Sequence, residues 1–114
     1  MRFKFFDQLF HANVWLLIGK REEFNEEVDN SINETDQALT VQITEGDVTL
    51  FYVWIKNCSS YYNMVHETLH LTHRILNHAG IDISNNNIEL VAYYQNYWVR
   101  KFWNKMSKFV KEKK

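Results

Sequence analysis

The sequence predicts an α+β domain, a small and mainly antiparallel sheet packed against a central helix that carries HETLH and against a C-terminal helix. Three observations predict it. In residues 39–44, LTVQIT, Leu39, Val41 and Ile43 alternate with polar residues, the two-residue period of a half-buried strand. Two short runs, Val14 to Ile18 and Leu50 to Ile55, are dense in branched and aromatic residues that favour strands. After Ser60 the apolar spacing lengthens to three and four residues, so the strands come first and the long helices follow.

In chain order, residues 2–10 and 14–18 read as two strands of a hairpin separated by His11, Ala12 and Asn13, and Gly19 ends the second. From Arg21 to about Asn30 the chain is acidic, with Phe24 and Val28 four apart, the narrow stripe of a short surface helix. Residues 30–37, NSINETDQ, read as loop. Glu45, Gly46 and Asp47 turn the alternating strand into Val48 to Lys56, apolar on both faces; that strand suits either an internal position or a free edge offered to an extended peptide. Ser59 or Ser60 can cap a helix running to about His78, with Ala79 and Gly80 as its stop. Met64, Val65, Leu69, Leu71, Ile75 and Leu76 surround much of that cylinder, so the expectation is a largely buried helix. Asn86 and Glu89 have the spacing of a capping box opening a last helix to Lys111 or beyond. The expected order is β, β, α, β, β, α, α.

The 114 residues suit one domain, 1–114, and no proline and only Gly19, Gly46 and Gly80 leave nothing that resembles a linker. The net charge of −1 conceals a division: residues 1–99 carry a net −7 and residues 100–114 a net +6. A lone cysteine, Cys58, forbids an intramolecular disulfide, and its place at a strand end suggests a structural role. No apolar run approaches the roughly 20 residues of a membrane span, and Asp7 and Gln8 break the N-terminal run before a signal-peptide core forms. A cytoplasmic protein with no membrane association is the expectation.

The chemistry concentrates in Val65 to His78. His66 and His70 stand four apart, one above the other on a helix, where both imidazoles can reach one zinc ion at about 2.0 to 2.1 Å. Glu67, beside the first histidine, is placed to serve as general base toward a water. The ordinary alternative is a pair of surface or core histidines, and the expected burial of the helix argues against it, since unpaired polar groups there cost about 1 to 3 kcal/mol each. A third ligand is needed. His73 lies about 10 Å along the axis from His66, too far to share the ion readily, so Glu89 at the start of the next helix is the better candidate, with a capping role as its alternative. Tyr93, one turn after Glu89, is placed either to donate a hydrogen bond to a developing oxyanion or to pack in the core.

These residues resemble the gluzincin-type zinc metallopeptidases, in which HExxH on one helix is followed by a glutamate ligand on the next. The run HETLHLTHRILNHAGI followed by IELVAYY is more closely similar to small metallopeptidases encoded by bacteriophages, over about residues 40–100. The resemblance implies a minimal zincin-like fold, one Zn2+ on His66, His70 and Glu89, Glu67 as catalytic base, Tyr93 within an ExxAY element, a peptide or protein substrate, and action in a bacterial host cytoplasm. The metzincin extension is absent: His73 and Leu76 occupy the positions of its glycine and third histidine. A zinc-binding phage interaction protein without peptidase activity, acting on a host or virion protein, is the alternative.

The tail from Tyr97 is basic and aromatic, which offers nucleic acid a contact through Lys/Arg with stacking on Trp98 and Trp103. The favoured reading is an amphipathic helix with Trp98 or Val99, Phe102, Met106 and Phe109 on the sheet. That surface also suits a dimer contact, and the oligomeric state stays open.

Overall fold

In a computed structural model that describes residues 1–110, four strands form one sheet with two long helices on one face. The strands are β1 (Arg2–Asp7), β2 (Ala12–Ile18), β3 (Ala38–Glu45) and β4 (Val48–Ile55); the helices are α1 (Arg21–Phe24), α2 (Tyr61–His78) and α3 (Ile88–Met106). Their order along the sheet is β1-β2-β4-β3. Both hairpins, β1 with β2 and β3 with β4, are antiparallel, and the two meet through a parallel pairing of β2 with β4. The small, mostly antiparallel α+β expectation therefore holds in its coarse form.

Which strands are central follows from their composition. VWLLI and LFYVWI are apolar on both faces, and only an internal strand with both faces covered can bury them. Val14, Leu16 and Ile18 of β2, with Phe51, Val53 and Ile55 of β4, meet Leu71 and Ile75 of α2 and Trp98 and Phe102 of α3 in the larger core. Leu17 and Trp54 face the other way and are covered by Phe24, Val28 and Ile32. Residues 19–37 thus form the crossover that lets β2 and β4 run parallel, and they cap the second face as they pass. β4 is internal, which removes the reading of it as a free edge; β3 pairs on one side only and takes that position.

Several boundaries depart from the periodicity. The first hairpin turns at residues 8–11, so Ala12 and Asn13 belong to β2. The cause is local: the Asp7 carboxylate accepts from the Phe10 amide at 2.9 Å, and His11 takes a left-handed φ of 53°. The acidic segment keeps one helical turn, Arg21–Phe24, and then continues in turns ended by Asp29 and Asn30, both at positive φ. At the other end, Ser84 and Asn87, rather than Asn86 and Glu89, form the reciprocal cap, on a 3-10 turn over Asn85–Asn87 that feeds α3. α3 stops at Met106 and a further 3-10 turn, Ser107–Phe109, follows; its expected extension to Lys111 and beyond lies outside the described residues. No described helix is long and apolar enough to cross a membrane.

The largest departure concerns α2. It packs on the sheet and on α3, and its third side is solvent: His66, Leu69, His70, His73 and Arg74 are exposed. The helix is one-sided rather than largely buried, because two packed helices over a four-stranded sheet leave each helix an outer face.

Candidate functional site

The exposed side of α2 presents His66 and His70 one turn apart. Their Nε2 atoms are 3.2 Å from each other and their rings are inclined at 71°. Two imidazole nitrogens bound tetrahedrally at about 2.0 to 2.1 Å from one zinc ion would stand about 3.3 Å apart. The pair therefore fits two corners of a tetrahedral ion. The same separation also allows one ring to donate a hydrogen bond to the other, the tautomers deciding which.

Glu67 points elsewhere. It is 7% exposed, and its Oε1 accepts from the Thr40 hydroxyl on β3 at 2.6 Å. Thr40 is itself buried, and the same hydroxyl lies 3.2 Å from the Glu67 carbonyl oxygen. One proton cannot serve both fully, so the shorter contact to the carboxylate takes it. Sequence reasoning missed Thr40, although a signal existed. In LTVQIT the apolar phase, Leu39 and Val41, packs on the Trp54 side of the sheet, so the polar phase faces α2, where the only carboxylate in the helix is waiting.

Glu89 sits on the exposed first turn of α3, and Tyr93 is 77% exposed. Tyr93 borders a cavity whose other lining residues are Asp7, Leu9, Leu90, Tyr94 and Tyr97, none of them from α2. His73 is exposed, and the ring of His78 packs edge-on against Phe51 with centroids 5.9 Å apart. Among the described residues no group of three or more His, Cys, Asp or Glu side chains is arranged to hold a metal ion. The chain thus brings together His66 and His70, keeps Glu67 in the same turn but bonded to β3, and carries Glu89 and Tyr93 on α3, with Tyr93 at the cavity that Asp7 also lines. An ion on two imidazoles fits this arrangement, and a catalytic zinc takes a third protein ligand.

Of the other residues singled out, Cys58 is buried and its thiol pKa is pushed up by burial, the signature of an inert structural cysteine. Trp98 is fully buried against Phe5 and Phe102 and is not available for base stacking; Trp103 stacks edge-on with Tyr61, centroids 5.0 Å apart. Compared with known proteins, the chain matches no family model, no curated protein and no solved structure.

Proposed function

We propose that this chain binds one zinc ion through His66 and His70 and is a zinc-dependent hydrolase of peptide bonds, minimal zincin-like in plan and acting in the cytoplasm of a bacterial host. The observation that carries the reading is the 3.2 Å separation of the two Nε2 atoms, with a carboxylate, Glu67, in the same helical turn. A bound ion supplies Lewis-acid polarisation of the scissile carbonyl. Glu67 is the base that takes the proton of the attacking water, with Thr40 restraining one of its carboxylate oxygens. Glu89, on the first turn of the helix packed against α2, is the third ligand of this reading. The unpaired side of β3, the strand whose Thr40 bonds to Glu67, offers main-chain groups to an extended peptide and so a way to bind substrate.

Zinc stoichiometry tests the metal. Wild-type protein is expected to hold about one equivalent and the His66→Ala, His70→Ala double variant none; equal and negligible zinc in both would end the proposal. Glu67→Gln then separates hydrolysis from binding, because it retains zinc and loses cleavage across a peptide library.

A second reading is a zinc-binding interaction protein of a phage, without hydrolysis, that engages a host or virion protein. The observation that favours it is that the Glu67 carboxylate is buried and occupied by the Thr40 hydroxyl. Under it, Glu67→Gln leaves function intact.

A further inference from the structure

Away from the histidine pair, the end of the first hairpin meets α3 in a cavity of about 240 Å³ lined by Asp7, Leu9, Leu90, Tyr93, Tyr94 and Tyr97. Apart from Asp7, every lining residue is apolar or aromatic. Asp7 is 4% exposed, and both of its hydrogen bonds, from the Phe10 amide at 2.9 Å and the Tyr94 hydroxyl at 2.7 Å, end on Oδ2. Among the described residues no Lys, Arg or His forms an ion pair with it; the ion pairs present join Arg2 to Glu27 and Arg21 to Glu22. A buried carboxylate without a cation is an expensive arrangement. Both donors, a backbone amide and a phenol, are neutral and leave the charge unbalanced. Tyr94 and Tyr97 lie nearly parallel, 10° apart with centroids separated by 5.9 Å, and Tyr93 stands at the rim.

We propose that this cavity is an aromatic cage for a quaternary ammonium group, with Asp7 as its counter-charge and Tyr93, Tyr94 and Tyr97 as its walls. The chemistry selects that cation over others. Metal ions are held by several oxygen ligands, and the cavity offers one carboxylate among apolar walls. A primary ammonium would lose three hydrogen bonds to water for the same single acceptor. A methylated ammonium has no hydrogen bonds to lose, presents apolar methyls to the rings, and keeps its charge. The size agrees: drug-sized ligands occupy pockets of about 300 to 1,000 Å³, and this smaller one suits a head group alone. The Tyr97 ring already meets one cation, the Lys101 ammonium 5.4 Å from its centroid, although Lys101 does not line the cavity.

The test titrates tetramethylammonium, choline and the neutral isostere of choline, 3,3-dimethylbutanol, into the intact protein and follows amide shifts by NMR. Saturable binding of both cations is expected, with shifts centred on Leu9, Tyr93 and Tyr97 and the isostere weaker by roughly tenfold. Tyr93 is mostly exposed, so Tyr93→Ala is expected to leave circular dichroism unchanged and weaken binding by roughly tenfold, with Tyr93→Phe restoring it. Peptides carrying trimethyllysine or unmodified lysine distinguish the source of the group. Tighter binding of the trimethylated peptide assigns the site to a methylated protein side chain, and no gain over choline assigns it to a free quaternary amine. Absence of saturation by about 100 mM, an isostere that binds as tightly as choline, or an unchanged affinity in Tyr93→Ala would overturn the proposal. None of these outcomes depends on zinc at the histidine pair.

Discussion

Asp7 and Tyr94, 87 positions apart, tie β1 to α3 through one buried hydrogen bond. Burial first, and then the bond to Asp7, push the Tyr94 pKa well above the ordinary tyrosine range. The folded form therefore keeps a proton that the unfolded chain loses above about pH 10, so the stabilisation is complete below that pH and declines as pH rises further. Tyr94→Phe is expected to lower stability by about 1.5 to 3 kcal/mol at neutral pH, measured by urea unfolding, and to flatten the loss of stability above pH 10. An identical alkaline slope in both proteins would contradict the assignment. At Thr40 the cost is of the other kind. Thr40→Val leaves the buried Glu67 carboxylate without its donor and is expected to destabilise by about 1 to 3 kcal/mol, whereas Thr40→Ser costs less because it keeps the hydroxyl. Cys58, held above its ordinary pKa by burial, should alkylate slowly at pH 8 in the folded protein and rapidly once urea unfolds it. The Asp7 contact was not legible in the sequence, because it joins distant segments whose own neighbours give no sign of the partner, whereas the polar phase of LTVQIT signalled a buried polar contact at Thr40 without naming Glu67.

At the scale of elements, β2 ends at Gly19, where the chain turns under the sheet. Gly19 has φ +151°, and a Cβ there would stand 2.9 Å from Cε2 of Phe24. Gly19→Ala is expected to destabilise by about 1 to 3 kcal/mol and lower the thermal midpoint, since both the backbone and the Phe24 ring must shift. The two-residue alternation and the apolar runs located all four strands, and the three- to four-residue spacing located both long helices. The caps were harder to read. Ser84 with Asn87 and Asn86 with Glu89 have the same three-residue spacing, and only the 3-10 turn preceding α3 selects the first pair. The exposed side of α2 was also out of reach: Leu69 falls on it and lengthens the apparent apolar circumference, yet it is 38% exposed.

Across the whole molecule, β2 and β4 join two clusters, one beneath α2 and α3 and one beneath residues 19–37. Each central strand contributes alternate residues to both, so neither cluster can dissolve while the other stays intact. Unfolding is expected to be a single transition: tryptophan fluorescence dominated by Trp54 on one face, fluorescence dominated by Trp98 on the other, and helical circular dichroism should share one midpoint in suitable Trp→Phe variants. An earlier midpoint for Trp54 would show that the crossover segment opens independently.

By itself the sequence determined the class of the fold and the pairing of His66 with His70, because residue periodicity and a four-residue spacing act within one strand or one helical turn. Only the tertiary structure decided that β4 is internal and β3 an edge, that Glu67 bonds to Thr40, and that Tyr93 and Asp7 line one cavity. Those placements depend on which segments meet in space, and local spacing carries no information about a neighbour tens of residues away.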